Sequence, residues 1–414
     1  MKILLSAYAC EPNKGSEPGV GWGWAVELAQ YHQVWVVTRD NNRPVIEAYL
    51  KSKPEFQNEN MNFIYVGLPK ALTFWKKGNR GIRLYYTLWQ QKAAKVASKW
   101  NERIQFDLVQ HVTFVSYTQV TYMYKLNIPL IWGPVSGGEN IPPGIKIEMS
   151  VKEKMTEAVR KMSQQMALMM PSIRKTMKTA KYILVATDET KGKIPQKYQC
   201  KTQIVPAIGL ETIPDFATTK KNSDKVRIIM AGRLIYWKAF DIGLKAFLCI
   251  ADQFPNAELH ILGEGNKKEE LKKIAGAYLG KQVFFEPPVP HDRIFEFYSE
   301  YDVFLNTTLR DSGCMTMMEA MSVGLPCIAI ATGGPEVLLT CNSEGKIAPC
   351  SYEGCIEKIA DCLGEIIENP AYRESISITQ INFLRSRLLM EKKMELLNEI
   401  YNTVSRTSVT DVGV

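Results

Sequence analysis

Two carboxylates eight positions apart, Asp311 and Glu319, bracket a turn of small residues (Ser312, Gly313, Cys314) and a helix-like run. A Gly-Leu-Pro turn then leads into an apolar strand, Cys327 to Ala331, and a Gly-Gly-Pro turn. Backbone N–H groups at a helix start lack intrahelical partners and lie at the positive end of the helix dipole, so they favour an anion. A carboxylate two turns further on can accept hydrogen bonds from sugar hydroxyls. Phosphate joined to ribose, as in a nucleotide, suits that pair of features. Upstream, an apolar run from Val226 to Ala231 ends in a turn carrying Arg233 and Lys238. Arg offers a planar fork to phosphate oxygens and Lys a point charge. A diphosphate leaving group gains charge as its bond to a sugar breaks, so fixed cations there lower the barrier.

These residues resemble glycosyltransferase family 4. The resemblance rests on Gly-Arg-Leu with Lys five positions after the Arg, on Asp-Ser-Gly-x4-Met-Glu-Ala-Met-x2-Gly-Leu-Pro, and on Gly-Gly-Pro-Glu. It extends to the N-terminal loop Ala9-Cys-Glu-Pro-x2-Gly15-Ser-Glu-Pro-Gly-Val-Gly-Trp22. It implies a GT-B fold of two Rossmann-like domains facing across a cleft. It also implies retaining, nucleotide-sugar-dependent transfer of the bacterial surface-polysaccharide type, with UDP or GDP carrying the sugar. On that basis Arg233 and Lys238 grip the diphosphate, Glu319 holds the nucleotide ribose, and Asp311 stands where the family usually has Glu beside the donor sugar. Gly313 and Cys314 present backbone N–H groups to the donor, although a Cys there also suits simple packing. Gly15 and Ser16 let backbone approach the diphosphate, Val289 lies by the nucleobase, and Gly263 shapes a strand-to-loop turn. His111 ends an apolar strand where the family has a His near the donor sugar; a lone His there also reads as a satisfied, partly buried residue. Glu17 and Asn140 are candidates for the acceptor side, with Glu17 also well placed at a helix start.

Two alternatives share these residues: a non-catalytic nucleotide-sugar binding subunit, and a sugar-nucleotide epimerase of the same fold. The expected partners are a nucleotide sugar and a glycan or lipid-linked acceptor. No metal is expected, because Arg233 and Lys238 meet the diphosphate charge and no Asp-x-Asp motif stands in a suitable place.

Charge is unevenly spread. Residues 1–206 hold 29 Lys and Arg against 15 Asp and Glu, and the remainder 22 against 28, within a net charge of +8. A basic N-terminal half suggests an anionic surface or acceptor. Helix-turn-helix and zinc-finger spacings are missing, which argues against nucleic acid. Nine cysteines without a C-x2-C pair read as reduced cytoplasmic thiols rather than a zinc site or disulfide framework. No run of about 18 apolar residues is present to span a membrane.

Alternating strands and helices must position the site, and they predict parallel sheets. In the first half, strands are expected at Ile3–Ala9, Val34–Thr38, Phe63–Val66, Asp107–His111, Leu130–Trp132 and Tyr182–Ala186, with a helix over Val20–Gln30 and helical character over 151–180. The second half repeats the scheme at Ile228, Leu259, Val283, Val303 and Cys327. The expected organisation is an acceptor domain over 1–206, a linker over 207–225, a nucleotide-sugar domain over 226–385, and a terminal helix over 386–414 returning to the first domain. Two stretches mix cations with large apolar residues: Lys70 to Trp100, which includes Trp75, Lys77, Arg80, Tyr86 and Trp89, and Lys146 to Lys181, rich in Met. Each reads either as weak docking to an anionic membrane surface or as a solvated charged face over a Met-filled core.

Overall fold

The computed structural model describes residues 1–69, 73–76, 78, 81–210, 212–214, 224–341 and 344–410. The chain divides into two compact units. Unit 1 comprises Met1–Gly138, Thr156–Ile208 and Met390–Val414, and unit 2 comprises Glu139–Met155 and Gly209–Leu389.

Unit 1 begins with β1 (Lys2–Ala7), α1 (Ser16–Tyr31), β2 (Gln33–Arg39), α2 (Arg43–Ser52), β3 (Met61–Val66), α3 (Ile82–Ile104) and β4 (Leu108–Thr113). There follow β5 (Leu130–Val135), α4 (Val151–Met169, whose first residues count with unit 2), α5 (Pro171–Thr179), β6 (Tyr182–Val185), α6 (Asp188–Lys193) and β7 (Thr202–Ile204). The strands form one parallel sheet in the order β3-β2-β1-β4-β5-β6-β7. Both faces are covered, which is why the strands are apolar almost throughout. Ile3 and Leu5 face a core with Trp22, Trp24 and Leu28 of α1, while Leu4 faces one with Tyr86, Trp89 and Ala93 of α3 and Ile173 and Met177 of α5.

Unit 2 contains β8 (Val226–Ala231), α7 (Phe240–Ile250), β9 (Ala257–Leu262), α8 (Lys268–Ala275), β10 (Val283–Glu286), α9 (Ile294–Tyr298) and β11 (Val303–Asn306). It continues with α10 (Met315–Ser322), β12 (Cys327–Ile330), α11 (Gly333–Leu338), β13 (Lys346–Ile347), α12 (Tyr352–Glu368) and α13 (Pro370–Phe383). Its sheet is also parallel, ordered β10-β9-β8-β11-β12-β13. In such a sheet the strand order reverses between β8 and β11, and a crevice opens beyond their carboxyl ends. The core of unit 2 also takes Ile145, from the segment Glu139–Met155. The chain ends in α14 (Met390–Thr410), whose Met394, Leu397, Ile400 and Tyr401 fill the unit 1 core beside α1.

Helix boundaries moved for local reasons. α1 starts at Ser16 and not at Val20. Pro18 does not block it, because N–H groups of the first turn have no intrahelical partner to lose. The helical stretch 151–180 splits at Met170, since Pro171 opens α5 and disfavours helical geometry before it. β7 and the two-residue β13 are too short to leave an alternation in the sequence. In the basic-aromatic stretch, Tyr86 and Trp89 are fully buried in the core that includes Leu4 of β1 and Trp35 of β2, so they offer nothing to a surface. Lys70, Lys77 and Arg80 of that stretch, and residues 211, 215–223 and 411–414 of the expected linker and tail, lie outside the described residues.

Candidate functional site

The loops leaving β8 and β11 are joined in unit 2. Leu309 N–H donates to Trp237 O (2.9 Å), and the Thr307 hydroxyl donates to Ala239 O (2.8 Å). These bonds bring Lys238 against Asp311, with Nζ 2.5 Å from Oδ2. The other carboxylate oxygen of Asp311 accepts the N–H groups of Gly313 (3.0 Å) and Cys314 (3.1 Å). Burial would raise the Asp311 carboxyl, but the Lys238 charge and these hydrogen bonds outweigh it and hold the group below the ordinary aspartate value. The Gly313 and Cys314 amides, expected to face a donor, are therefore occupied by Asp311 in this state. A side chain of aspartate length reaches N–H groups two and three residues on, which a glutamate at the same position overshoots.

Cys314 has a left-handed backbone and is buried, with its sulfur accepting from Asn306 Nδ2 at 2.7 Å. Burial, with the nearby Asp311 charge, pushes its thiol up to about 12, so it packs and does not ionise. Arg233, two residues beyond β8, is exposed, and among the described residues its guanidinium has no carboxylate within 4.0 Å. Gly263, after β9, is held where a Cβ would meet Gly232 O at 1.9 Å, so only glycine lets the β8 and β9 loops touch. Gly333 has φ +55, and a Cβ there would meet Asp311 O at 2.1 Å and Glu139 Cγ at 3.2 Å. Asn140, next in sequence to Glu139, is half-buried and belongs with it to unit 2.

Glu319 lies on α10, 4% exposed, with Oε1 3.2 Å from His291 Nε2. That hydrogen bond, opposed by burial and helped by the Glu319 charge, raises the exposed imidazole above its ordinary value. Tyr298 is fully buried, and its hydroxyl has no hydrogen-bond partner among the described residues. Burial and the Glu319 charge together push its pKa well up. Val289 is half-buried in the turn after β10, two residues before His291. Sequence reasoning missed His291, Tyr298, and Arg310, whose guanidinium lies over the Trp237 ring at 4.5 Å. The signals were slight: a His two residues beyond Val289, and an Arg directly before Asp311.

In unit 1 a second group gathers at the carboxyl ends of β1 and β4, whose register pairs Ser6 with His111; β4 runs two residues past His111, which was expected to end it. His111 is 1% exposed, with Nδ1 3.3 Å from Ser6 Oγ and Nε2 3.5 Å from Tyr86 OH. Burial lowers its pKa to about 4, against a smaller upward pull from a Phe114 backbone hydrogen bond, so the imidazole is neutral. Gly15 caps α1 with open space where a side chain would stand. Ser16 is the first helical residue, and its side chain lies outside what is described. Glu17 Oε1 accepts the Val115 N–H at 2.6 Å; burial raises its carboxyl while that bond opposes the rise.

Residues 212–381 match the family model of glycosyl transferases group 1. Over 144 residues the chain is 28% identical to sulfoquinovosyl transferase SQD2 of Arabidopsis thaliana, covering 34% of this chain and 27% of that protein. It is 32% identical over 122 residues to a phosphatidylinositol N-acetylglucosaminyltransferase subunit of Homo sapiens, covering 28% and 25%. The chain thus spans about a quarter of these relatives' lengths. The fold is GT-B. HepE of Anabaena, solved with UDP and glucose, superposes with a TM-score of 0.61 at 14% identity over 97% of this chain and 99% of that one. The lipopolysaccharide outer core galactosyltransferase WaaB superposes with a TM-score of 0.63 at 16% identity over 97% and 100%.

Proposed function

We propose that this protein is a retaining glycosyltransferase, moving a hexosyl group from a UDP- or GDP-linked donor to a glycan or lipid-linked acceptor in bacterial surface-polysaccharide synthesis. The observation that carries the proposal is the joining of the β8 and β11 loops, which brings Lys238 against Asp311 one helix away from buried Glu319. Arg233 and Lys238 meet the charge that develops on the departing diphosphate, in place of a metal ion. Glu319 accepts hydrogen bonds from the ribose hydroxyls, Val289 lies by the nucleobase, and Gly263 shapes the β9 loop beside that of β8. As the bond from the anomeric carbon to the β-phosphate oxygen breaks, the acceptor oxygen bonds that carbon on the same face. The electron pair leaves with the diphosphate, and a phosphate oxygen takes the acceptor's proton. No protein nucleophile is required, and neutral His111 serves as a hydrogen-bonding group rather than a base. HepE was solved with UDP and glucose, which supports a nucleotide-sugar donor.

The saturated Asp311 carboxylate favours a second reading, a non-catalytic nucleotide-sugar binder. Incubation with a panel of UDP-, GDP- and ADP-sugars separates the two. Slow donor hydrolysis supports the transferase, binding without turnover supports the binder, and conversion of the sugar supports an epimerase. Lys238→Ala is expected to lower turnover by roughly 10²-fold or more. Undiminished turnover in that variant, or abolition of wild-type turnover by a chelator, refutes the charge assignment.

A further inference from the structure

Helix α4 buries polar side chains beside Ala167 and leaves most of its large apolar ones in water. Glu157 and Gln164 are buried on its inward face, where Gln164 Nε2 (2.7 Å) and Arg160 Nη2 (3.2 Å) both donate to Gly137 O. Its outward face carries Val159, Met162, Met166 and Met169, the last two 58% and 69% exposed. Their spacing of three and four residues places them in one stripe, and Met155 and Val151 continue it towards the helix start. Beyond Met169 the apolar surface passes to exposed Met170 and, across a groove of about 310 Å³, to exposed Leu84 of α3. Water-exposed apolar surface of this continuity marks an interaction site.

Charge identifies the occupant. Residues 158–187 hold six cations and no carboxylate. Lys161, Arg174, Lys175 and Lys178 are exposed, whereas the sole α4 carboxylate within unit 1, that of Glu157, is buried. After its first two turns, which hold Glu153 and buried Glu157, α4 shows water only apolar, neutral and cationic side chains, and such a face fits the plane of an anionic bilayer, with Met in the acyl boundary and Lys among the headgroups. No helix among the described residues is long and apolar enough to cross a membrane, so the contact lies on the surface. We propose that α4 docks this protein onto an anionic lipid surface through Val159, Met162, Met166 and Met169. Nothing in this docking depends on the sugar chemistry.

Flotation of the full chain with phosphatidylcholine vesicles, with and without phosphatidylglycerol, tests it. The protein is expected to float with the anionic vesicles, to remain behind with the neutral ones, and to be released as salt shortens the screening length. The double variant Met162→Asp and Met166→Asp is expected to lose at least roughly tenfold in partitioning with unchanged melting, because both side chains already face water. Met162→Leu with Met166→Leu is expected to retain binding. Failure of the wild type to float with either vesicle overturns the proposal. So does a dimer in analytical ultracentrifugation that the Asp variant dissolves, since the stripe then belongs to a second copy. Donor hydrolysis measured without vesicles is independent of either result, so this proposal and the transferase reading fail separately.

Discussion

Replacing Asp311 with asparagine separates the two jobs of that side chain. The amide oxygen introduced by Asp311→Asn keeps the N–H bonds of Gly313 and Cys314, while the charge facing Lys238 at 2.5 Å is lost. The two side chains are only 25% and 13% exposed, so the pair is less screened than an open surface ion pair. A hydrogen bond between charged groups contributes about 1.5–3 kcal/mol, and a destabilisation of about 2 kcal/mol is expected. For a unit of about 200 residues each kcal/mol moves the melting temperature by about 2–4 °C, which gives a loss of about 4–8 °C. The effect has a pH signature. The folded-state pKa of Asp311 is lowered, so its contribution is complete above the unfolded value of about 3.9 and disappears as pH falls through the lower folded value. Thermal melts of both proteins from pH 7 down to about pH 3 should show a full gap that closes at the acid end. Equal melting at pH 7, or a gap that persists unchanged in acid, refutes the ion-pair reasoning. Asp311→Glu is expected to keep the Lys238 pair and lose the two backbone bonds, so its deficit should persist into acid.

Gly263→Ala places a methyl group 1.9 Å from Gly232 O and should cost about 2 kcal/mol or more in urea unfolding; an unchanged midpoint would mean that the two loops do not touch. The raised pKa of His291 means that its bond to Glu319 stabilises the fold below about pH 6.5 and ceases to as pH rises through the folded value, so melting of His291→Ala and wild type should converge on the alkaline side. Convergence on the acid side instead would reverse the sign and remove the pair. Lys393 on α14 is buried, donates to Ala207 O at 3.3 Å, and has its pKa lowered by burial to about 7. Between about pH 7 and 10.4 the unfolded chain binds more protons, so wild-type stability should rise with pH there, and Lys393→Met should flatten that rise. An unaltered slope would show that Lys393 is not the source.

That the loops after β8 and β11 come together was legible because the signals are local. Arg233 and Lys238 follow an apolar strand, Asp311 and Glu319 flank a small-residue turn, and strand order in a parallel sheet puts both turns at one reversal point. What could not be read was which group satisfies which. The Gly313 and Cys314 amides look bare in sequence, and only the loop's path shows that Asp311 takes them. His291 reaches Glu319 from the turn after β10, and Tyr298 feels its charge from α9; no spacing rule connects either with α10. The membership of Glu139–Met155 in unit 2 was hidden for the same reason, since burial of Ile145 among β8 and α7 residues is a long-range fact.

The Met-rich stretch shows where periodicity stops being informative. A period of 3.6 reveals that α4 has one apolar and one polar face, but it does not say which face turns inward. The default assignment puts Met inside because apolar burial usually outweighs everything else. Here Gly137 O lies under the helix and accepts from Arg160 and Gln164 together. Turning the helix over would take both donors away from that carbonyl, while Met162 and Met166 would need space that Ala167 now fills at close packing. A buried polar group without a partner costs about 1–3 kcal/mol, and overpacking costs a similar amount. Those penalties offset the gain from burying two methionines, so the inverted arrangement persists in water and leaves the apolar stripe available to lipid.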